Sequence, residues 1–256
     1  MNKKILFLLF LIFIAVLFIF IHASKYSPND SLNLYISSDP STFNPITAND
    51  ATSAYISSFI FEGLTELDPE TLEIKPKLAH KWQFDKENNI WTFYLKDNIF
   101  WSDGEQFTSR DVVFTYNDLI YNPDIPNSAK DVLSVDGKKF KIKAIDKFTV
   151  EFELPDLFAP FLLNLSQPIL PYHKLNSFVK SKKFLFVWGI DTNPKDIVGT
   201  GPYKIEKYLF GQRILLKKNN FRQAHIENIS ISIIPYKETA LLKFLRGQLD
   251  IIPISG

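Results

Sequence analysis

The sequence predicts a mixed α/β fold in which strands and helices follow one another along the chain. Residues 91–95 alternate their side chains as a strand with one buried face does. Residues 112–120 instead carry apolar residues at helical spacing, behind a Thr108-to-Asp111 sequence with the spacing of a capping box. Residues 140–154 have the pattern of a hairpin that turns at Asp146 and Lys147.

The remaining elements are predicted from the same two periodicities and from turn residues. Gly104 after Asp103 predicts a tight turn before the capped helix, and Pro123 predicts the end of that helix. Further strands are predicted at residues 32–36, 203–208, 213–218, 229–233 and 249–253. Further helices are predicted at residues 51–61, 158–165 and 238–246.

Composition excludes several classes of protein. The chain of 256 residues has room for one large domain or two modest ones, and 46% hydrophobic content excludes global disorder. A net charge of +1 argues against a nucleic-acid partner, which would require a basic excess or stripe. Because the chain has no cysteine, it has no disulfide, no thiolate metal site and no cysteine nucleophile.

The N-terminus has the pattern of an export signal. Lys3 and Lys4 precede an apolar run over residues 5–21, which is typical of a segment that directs the rest of the chain out of the cytoplasm. Residues 1–24 are therefore predicted to be a signal peptide, cleaved after Ala23, or an uncleaved membrane anchor with the remainder outside. Residues 25–31 form a polar linker.

Several motifs resemble those of a known family. WSDGEQFTSRDVVFTY, residues 101–116, is similar to the central motif of the family 5 solute-binding proteins, the oligopeptide- and dipeptide-binding proteins of ABC importers. Ser109 stands where that family usually has Ala. Phe-Glu-Gly-Leu at residues 61–64 and Gly-Thr-Gly-Pro-Tyr at residues 199–203 also resemble family motifs. The matches extend from about Leu32 to Ile252.

This resemblance implies a periplasmic-binding-protein-like fold of type II. It places a sheet domain of the first lobe at residues 32–66 and 190–256, with an inserted α+β subdomain at residues 67–189. Family members are usually about twice as long, so the second lobe would be largely missing. The implied mechanism is capture of a ligand outside the cytoplasmic membrane and delivery to a permease of an ABC transporter, without catalysis.

The resemblance also indicates ligand-binding residues. In the peptide-binding relatives, the segment after the first loop lies along the ligand and bonds to its backbone as an added strand. Alignment without gaps puts Asn49, Asp50 and Ala51 in this place, and Thr200 and Gly201 are further candidates. Two structural alternatives stay open, which are an ordinary N-cap at residues 49–50 and a turn that begins a strand at residues 200–201.

No constellation in the sequence predicts a catalytic residue, a metal site or a cofactor. The four histidines are far apart, and neither a P-loop nor a G-x-S-x-G motif occurs. Glu151 and Glu153 share one face of a strand, which a solvated face explains more simply than a catalytic carboxylate pair.

Several questions stay open at the level of the sequence. The ligand is expected to be a peptide, but relatives also take nickel complexes, haem or sugars. A separately encoded second lobe could complete the site, or the chain could be a structural remnant that does not bind. An anchored envelope hydrolase is the enzyme alternative, and convergent carboxylates or a Ser-His pair in one cleft would support it.

Overall fold

The computed structural model describes residues 31–253. The predicted signal or anchor lies outside the described residues, as does nearly all of the linker. The strands are β1 (Ser31–Ile36), β2 (Thr65–Leu67), β3 (Ile74–Pro76), β4 (Ala79–Asp85), β5 (Ile90–Leu95), β6 (Ser134–Val135), β7 (Lys138–Lys139), β8 (Lys141–Asp146), β9 (Thr149–Glu153), β10 (Tyr203–Leu209), β11 (Arg213–Lys218) and β12 (Asn228–Ile233).

The helices lie between these strands. They are α1 (Ala51–Ile60), α2 (Ser109–Val113), α3 (Ala129–Val132), α4 (Phe161–Asn164), α5 (Tyr172–Lys180) and α6 (Lys237–Leu245). A π-helical segment at Phe114–Ile120 continues α2, and short 3-10 turns occur at Phe184–Phe186 and Pro194–Asp196.

The first sheet joins the two ends of the described chain. Its strand order is β1-β12-β11-β10, with β1 parallel to β12 and the other pairs antiparallel. Leu34 of β1 lies opposite Ile231 of β12, and both side chains are buried. The first predicted strand therefore pairs with one that lies far away in sequence, while β10 and β11 form the hairpin that the sequence predicts.

The second sheet is built from the middle of the chain. It has the order β4-β5-β9-β8, with every pair antiparallel. One face buries Phe93 and Phe152, whose rings meet edge to face. On the other face Lys143 pairs with Glu151 at 2.7 Å, and Lys141 pairs with Glu153 at 2.6 Å. These cross-strand ion pairs confirm that the two glutamates lie on a solvated face.

Buried residues of the two sheets belong to one continuous hydrophobic cluster. The cluster includes Leu216 of the first sheet, Ile56 and Ile60 of α1, and Phe93 of the second sheet. Helix α1 thus contributes to the shared core, and it packs against β10 of the first sheet.

Three predicted elements differ from the structure. The helix predicted at residues 112–120 widens into the π-helical segment, where the Thr115 hydroxyl donates to the Asp111 carbonyl at 2.8 Å and accepts from Leu170 N–H at 2.9 Å. The helix predicted at residues 158–165 shortens to α4, because Pro160 disfavours helical backbone at the residue before it.

The strand predicted at residues 249–253 is wrong. Asp250 N–H donates to the Asn33 carbonyl at 2.8 Å, as in a ladder, but the Asp250 carboxylate accepts from Asn33 N–H at 2.6 Å. Since a side chain takes the place of the next backbone acceptor, the ladder stops after one residue.

Candidate functional site

The loop before α1 is fastened to the first turn of the helix. Asp50 is the N-cap residue, and its Oδ1 accepts from Ser53 N–H at 2.8 Å. The Ser41 hydroxyl donates to the other carboxylate oxygen of Asp50. The Ser53 hydroxyl oxygen accepts from Ser41 N–H at 3.0 Å and from Thr42 N–H at 3.2 Å. The chain reversal that leads into α1 is therefore held on both sides.

Electrostatics agree with this capping geometry. Burial alone would raise the pKa of the Asp50 carboxyl, but hydrogen bonds from Ser41 and Ser53 outweigh it and hold the pKa below its ordinary value. Asp50 is therefore ionised at neutral pH and supplies a negative charge at the N-terminus of the helix, where the helix dipole favours it.

The two residues beside Asp50 are open to solvent. The side chains of Asn49 and Ala51 are exposed, whereas Asp50 is half-buried. Within residues 31–253, neither the backbone N–H nor the carbonyl of Asn49 has a hydrogen-bond partner. The predicted ligand-binding segment thus combines a capped helix start with one free backbone donor and one free acceptor. The N-cap alternative and the ligand-binding role are compatible with each other.

The second pair of predicted residues lies at the opposite end of α1. Gly201 N–H donates to the Ile60 carbonyl at 2.7 Å, and a Cβ added to Gly201 would come within 2.6 Å of the Phe59 carbonyl oxygen. Thr200 is fully buried. A helix of ten residues is about 15 Å long, so the structure does not bring residues 49–51 and 200–201 together.

A groove follows α1 between these two ends. Its volume is about 480 Å³, and its walls include Ala48, Ala54 and Ser58 on the helix side and Gln167 opposite. We call it the α1 groove. It begins beside Asn49 and ends near Glu62 at the end of the helix. Thr200 and Gly201 lie outside its lining, although the next residue in the chain, Pro202, contributes to it.

A second cavity adjoins the far end of this groove. It has a volume of about 590 Å³ and shares Glu62, Lys77 and Pro202 with the α1 groove. We call it the Lys96 pocket, since Lys96 and Arg222 form the rest of its charged lining. Burial lowers the pKa of the Lys96 ammonium, and the positive charge of Arg222 lowers it further.

Ion pairs order the wall of the Lys96 pocket. Glu62 is 6% exposed, and its Oε1 accepts from the Arg222 guanidinium at 2.6 Å, with the Lys77 ammonium 3.5 Å away. Lys77 in turn pairs with Glu66 at 2.6 Å. Reasoning from the sequence missed this cluster. Glu62 stands in a recognised motif, but no pattern in the sequence connects it to Arg222.

Other features that bear on function are few in the described part of the chain. No group of three histidine or carboxylate side chains that could hold a metal ion was found among residues 31–253. His173 binds Asp103 at 2.9 Å, and Asp103 also pairs with Lys174 at 3.2 Å. None of the helices in the same range combines the length and the apolar character that a bilayer-spanning segment needs.

Comparison with known proteins places the chain in a family. The family described as bacterial extracellular solute-binding proteins, family 5 Middle, matches residues 73–256. The chain therefore belongs to the family 5 solute-binding proteins, as its motifs predict. Members of this family bind substrates and are not enzymes.

Individual relatives agree with this assignment. The periplasmic oligopeptide-binding protein OppA of Salmonella typhimurium (strain LT2) is 27% identical over 242 residues, which cover 83% of this chain and 41% of that protein. The ABC transporter substrate-binding protein CtaP of Listeria monocytogenes superposes with a TM-score of 0.73 at 26% identity, covering 87% of this chain and 44% of that one.

A third relative was solved with a metal complex. NikZ of Campylobacter jejuni, in complex with Ni(L-His), superposes with a TM-score of 0.70 at 25% identity, covering 87% of this chain and 43% of that one. The chain thus spans less than half the length of these relatives. The likeness confirms the periplasmic-binding-protein-like fold of type II, and residues 31–253 supply one lobe of it.

Proposed function

We propose that this chain is the substrate-binding component of an ABC importer, and that it captures peptides outside the cytoplasmic membrane and delivers them to a permease. The observation that carries the proposal is the backbone N–H and carbonyl of Asn49, which have no partner among residues 31–253 and follow Ala48 of the α1 groove, in a chain of the family 5 fold. An unpaired backbone N–H and carbonyl in an exposed residue are the groups to which an extended peptide can pair as an added strand.

Main-chain pairing suits a receptor that accepts many sequences, because it does not depend on any ligand side chain. In this proposal residues 49–51 contact the ligand backbone, and the α1 groove accommodates its side chains. Thr200 and Gly201 act at the other end of α1, where close packing fixes the helix against β10. Thr200 and Gly201 then contribute to binding by fixing the position of α1.

The proposed domain division follows the two sheets. The strands of the first sheet come from residues 32–66 and 190–256, and those of the second come from residues 67–189, which form the inserted subdomain. The N-terminal signal or anchor would place both outside the cytoplasm, where the permease takes up the ligand. A peptide is the ligand favoured by the free backbone, because it offers both a donor and an acceptor in the geometry of an added strand, which a nickel complex, haem or sugar does not.

A second lobe would complete the site, and helix α6 supports this part of the proposal. Its apolar side chains Leu241, Leu242 and Leu245 are 47%, 54% and 71% exposed, and Ile251 just beyond it is 58% exposed. Such a patch on one element is typical of a contact surface. A second lobe that packs on this patch would protect the α6 amides from hydrogen exchange, and a Leu242→Asp, Leu245→Asp variant would lose that protection.

Thermal unfolding with and without a mixed library of di- to hexapeptides tests binding. A ligand that binds only the folded state raises the melting temperature by mass action. We expect an upward shift for the parent chain and for Asn49→Ala, which keeps the backbone N–H. Asn49→Pro removes that donor and should lose most of the shift, while melting near the parent temperature without peptide.

The outcomes separate the parts of the proposal. A cooperative transition that no peptide shifts would contradict autonomous peptide binding. An equal shift in all three chains would retain binding but overturn the role of the Asn49 backbone.

A further inference from the structure

The Lys96 pocket has an unbalanced charge. Three cationic side chains, Lys77, Lys96 and Arg222, line it together with one carboxylate, Glu62, and a second carboxylate, Glu66, lines the adjoining α1 groove. Arg222 is committed to Glu62 at 2.6 Å, and Lys77 is committed to Glu66 at 2.6 Å. Among the described residues, Lys96 has no carboxylate within 4.0 Å. One positive charge is therefore left over.

This remaining charge lies where an anion would be stabilised. Lys96 is half-buried and repelled by Arg222, and these two effects outweigh the attraction of Glu62 and Glu66, so a negative charge in the pocket would offset both desolvation and repulsion. Asn98 and Gln223 also line the pocket and carry side-chain amides that can donate. Phe221, which is 45% exposed and lies 5.7 Å from the Phe100 ring, forms an apolar wall.

The charge and the donors match one carboxylate. A carboxylate carries a single negative charge, accepts several hydrogen bonds at once, and is attached to carbon that an aromatic wall can cover. We propose that the Lys96 pocket binds a carboxylate of the ligand, supplied by the free C-terminus of a peptide in the α1 groove or by an acidic side chain near that end.

The dimensions fit a short peptide. The groove and the pocket share walls, and α1, which is about 15 Å long, lies between Asn49 and Glu62 of the pocket in the chain. An extended chain advances about 3.3 Å per residue, so about five residues span the length of α1. This assignment rests on the proposed peptide-binding function and specifies its ligand as a short peptide with a carboxylate at one end.

The test compares pentaalanine as the free acid with pentaalanine amide, by calorimetry on the full chain. A charge-assisted hydrogen bond contributes enough that the acid should bind at least about tenfold more tightly. Lys96→Met should abolish that ratio, and Lys96→Arg should keep it. Lys86→Met is the matched control, because it removes the same charge from the exposed turn between β4 and β5. If a peptide amide that ends in glutamate binds as tightly as the free acid, the acidic side chain is a source of the bound carboxylate.

Each outcome decides something. Equal affinity of acid and amide would overturn the carboxylate site and leave peptide binding standing. If neither peptide binds, the peptide-library test decides the proposed function, and titration with acetate decides the pocket separately. Acetate should then shift the side-chain amide NMR signals of Asn98 and Gln223 in the parent chain but not in Lys96→Met, and no shift in either chain would overturn the inference.

Discussion

At the scale of single residues, Asp50 is the side chain on which the candidate site depends most. It caps α1 and also holds Ser41, so it fixes the loop that presents Asn49. Asp50→Ala should lower the free energy of unfolding at neutral pH by about 1 kcal/mol, the usual cost of losing an N-cap. Urea unfolding monitored by circular dichroism measures it.

The same change should have a defined pH dependence. Hydrogen bonds from Ser41 and Ser53 hold the pKa of Asp50 below its unfolded value against the effect of burial, so this stabilisation is fully present above about pH 4. It is lost as the pH falls through the lower, folded-state pKa, and the difference between parent and Asp50→Ala should shrink there. Asp50→Asn keeps a hydrogen-bond acceptor but has no charge, so the difference in the free energy of unfolding between Asp50→Asn and Asp50→Ala should not change with pH. If this difference also shrinks as the pH falls, the pH dependence does not come from the Asp50 carboxylate.

Single residues also mark the limit of what the sequence predicts. The cap at Asp50 is predictable because capping depends on residues three positions apart. The pairing of Glu62 with Arg222 is not, since it joins the end of α1 to the segment after β11 and needs the complete fold. Lys96 gives no signal either, because a lysine after a strand is ordinary until its missing partner is seen in three dimensions.

At the scale of elements, the local pattern predicts where strands and helices begin more reliably than it predicts the type of helix that forms. Strand β11 has the predicted bounds, and the β8–β9 hairpin turns where the sequence indicates. The widening of α2 into Phe114–Ile120 is set by a tertiary contact, the Leu170 N–H on the Thr115 hydroxyl, which has no local signature. The free backbone groups of Asn49 have no local signature either, since the absence of a hydrogen-bond partner depends on the folded structure around the residue.

One buried carboxylate connects the starts of two helices. Asp111 accepts from Thr108 N–H at 2.9 Å at the beginning of α2 and from Tyr172 N–H at 2.9 Å at the beginning of α5. Burial raises the pKa of Asp111, and the hydrogen bonds offset only part of this effect. Asp111→Ala leaves two donors without their acceptor, and we expect a loss of about 1–3 kcal/mol in the free energy of unfolding.

Matched variants make this prediction specific. Asp111→Asn keeps one acceptor oxygen and should lose about half as much. Asp131→Ala removes an exposed carboxylate from the first turn of α3 and should change stability by less than about 0.5 kcal/mol. Guanidinium unfolding compares the three, and equal losses for Asp111→Ala and Asp131→Ala would contradict the bridging role.

At the scale of the whole molecule, the sequence predicts the order of the elements but not how the ends meet. β1 pairs in parallel with β12 across nearly the full described length, and no local pattern in the sequence predicts this pairing. Such long-range pairing makes the first sheet dependent on everything between its strands, including the inserted second sheet.

The continuous core predicts that the two sheets unfold together. Leu216→Ala removes a side chain in the first sheet that is 1% exposed and should cost about 2–5 kcal/mol. Three of the four tryptophans, Trp82, Trp91 and Trp101, lie in or beside the second sheet, so their fluorescence reports on that part of the molecule.

If the shared core couples the sheets, the unfolding midpoint seen by tryptophan fluorescence should move by the same amount as the midpoint seen by circular dichroism. Leu157→Ala, at a side chain 62% exposed, should move neither. A fluorescence midpoint that stays in place while circular dichroism shows two steps would mean that the sheets are separate folding units. The α1 groove would then lie on a boundary that opens independently, and ligand binding along it would have to supply the coupling that the core does not.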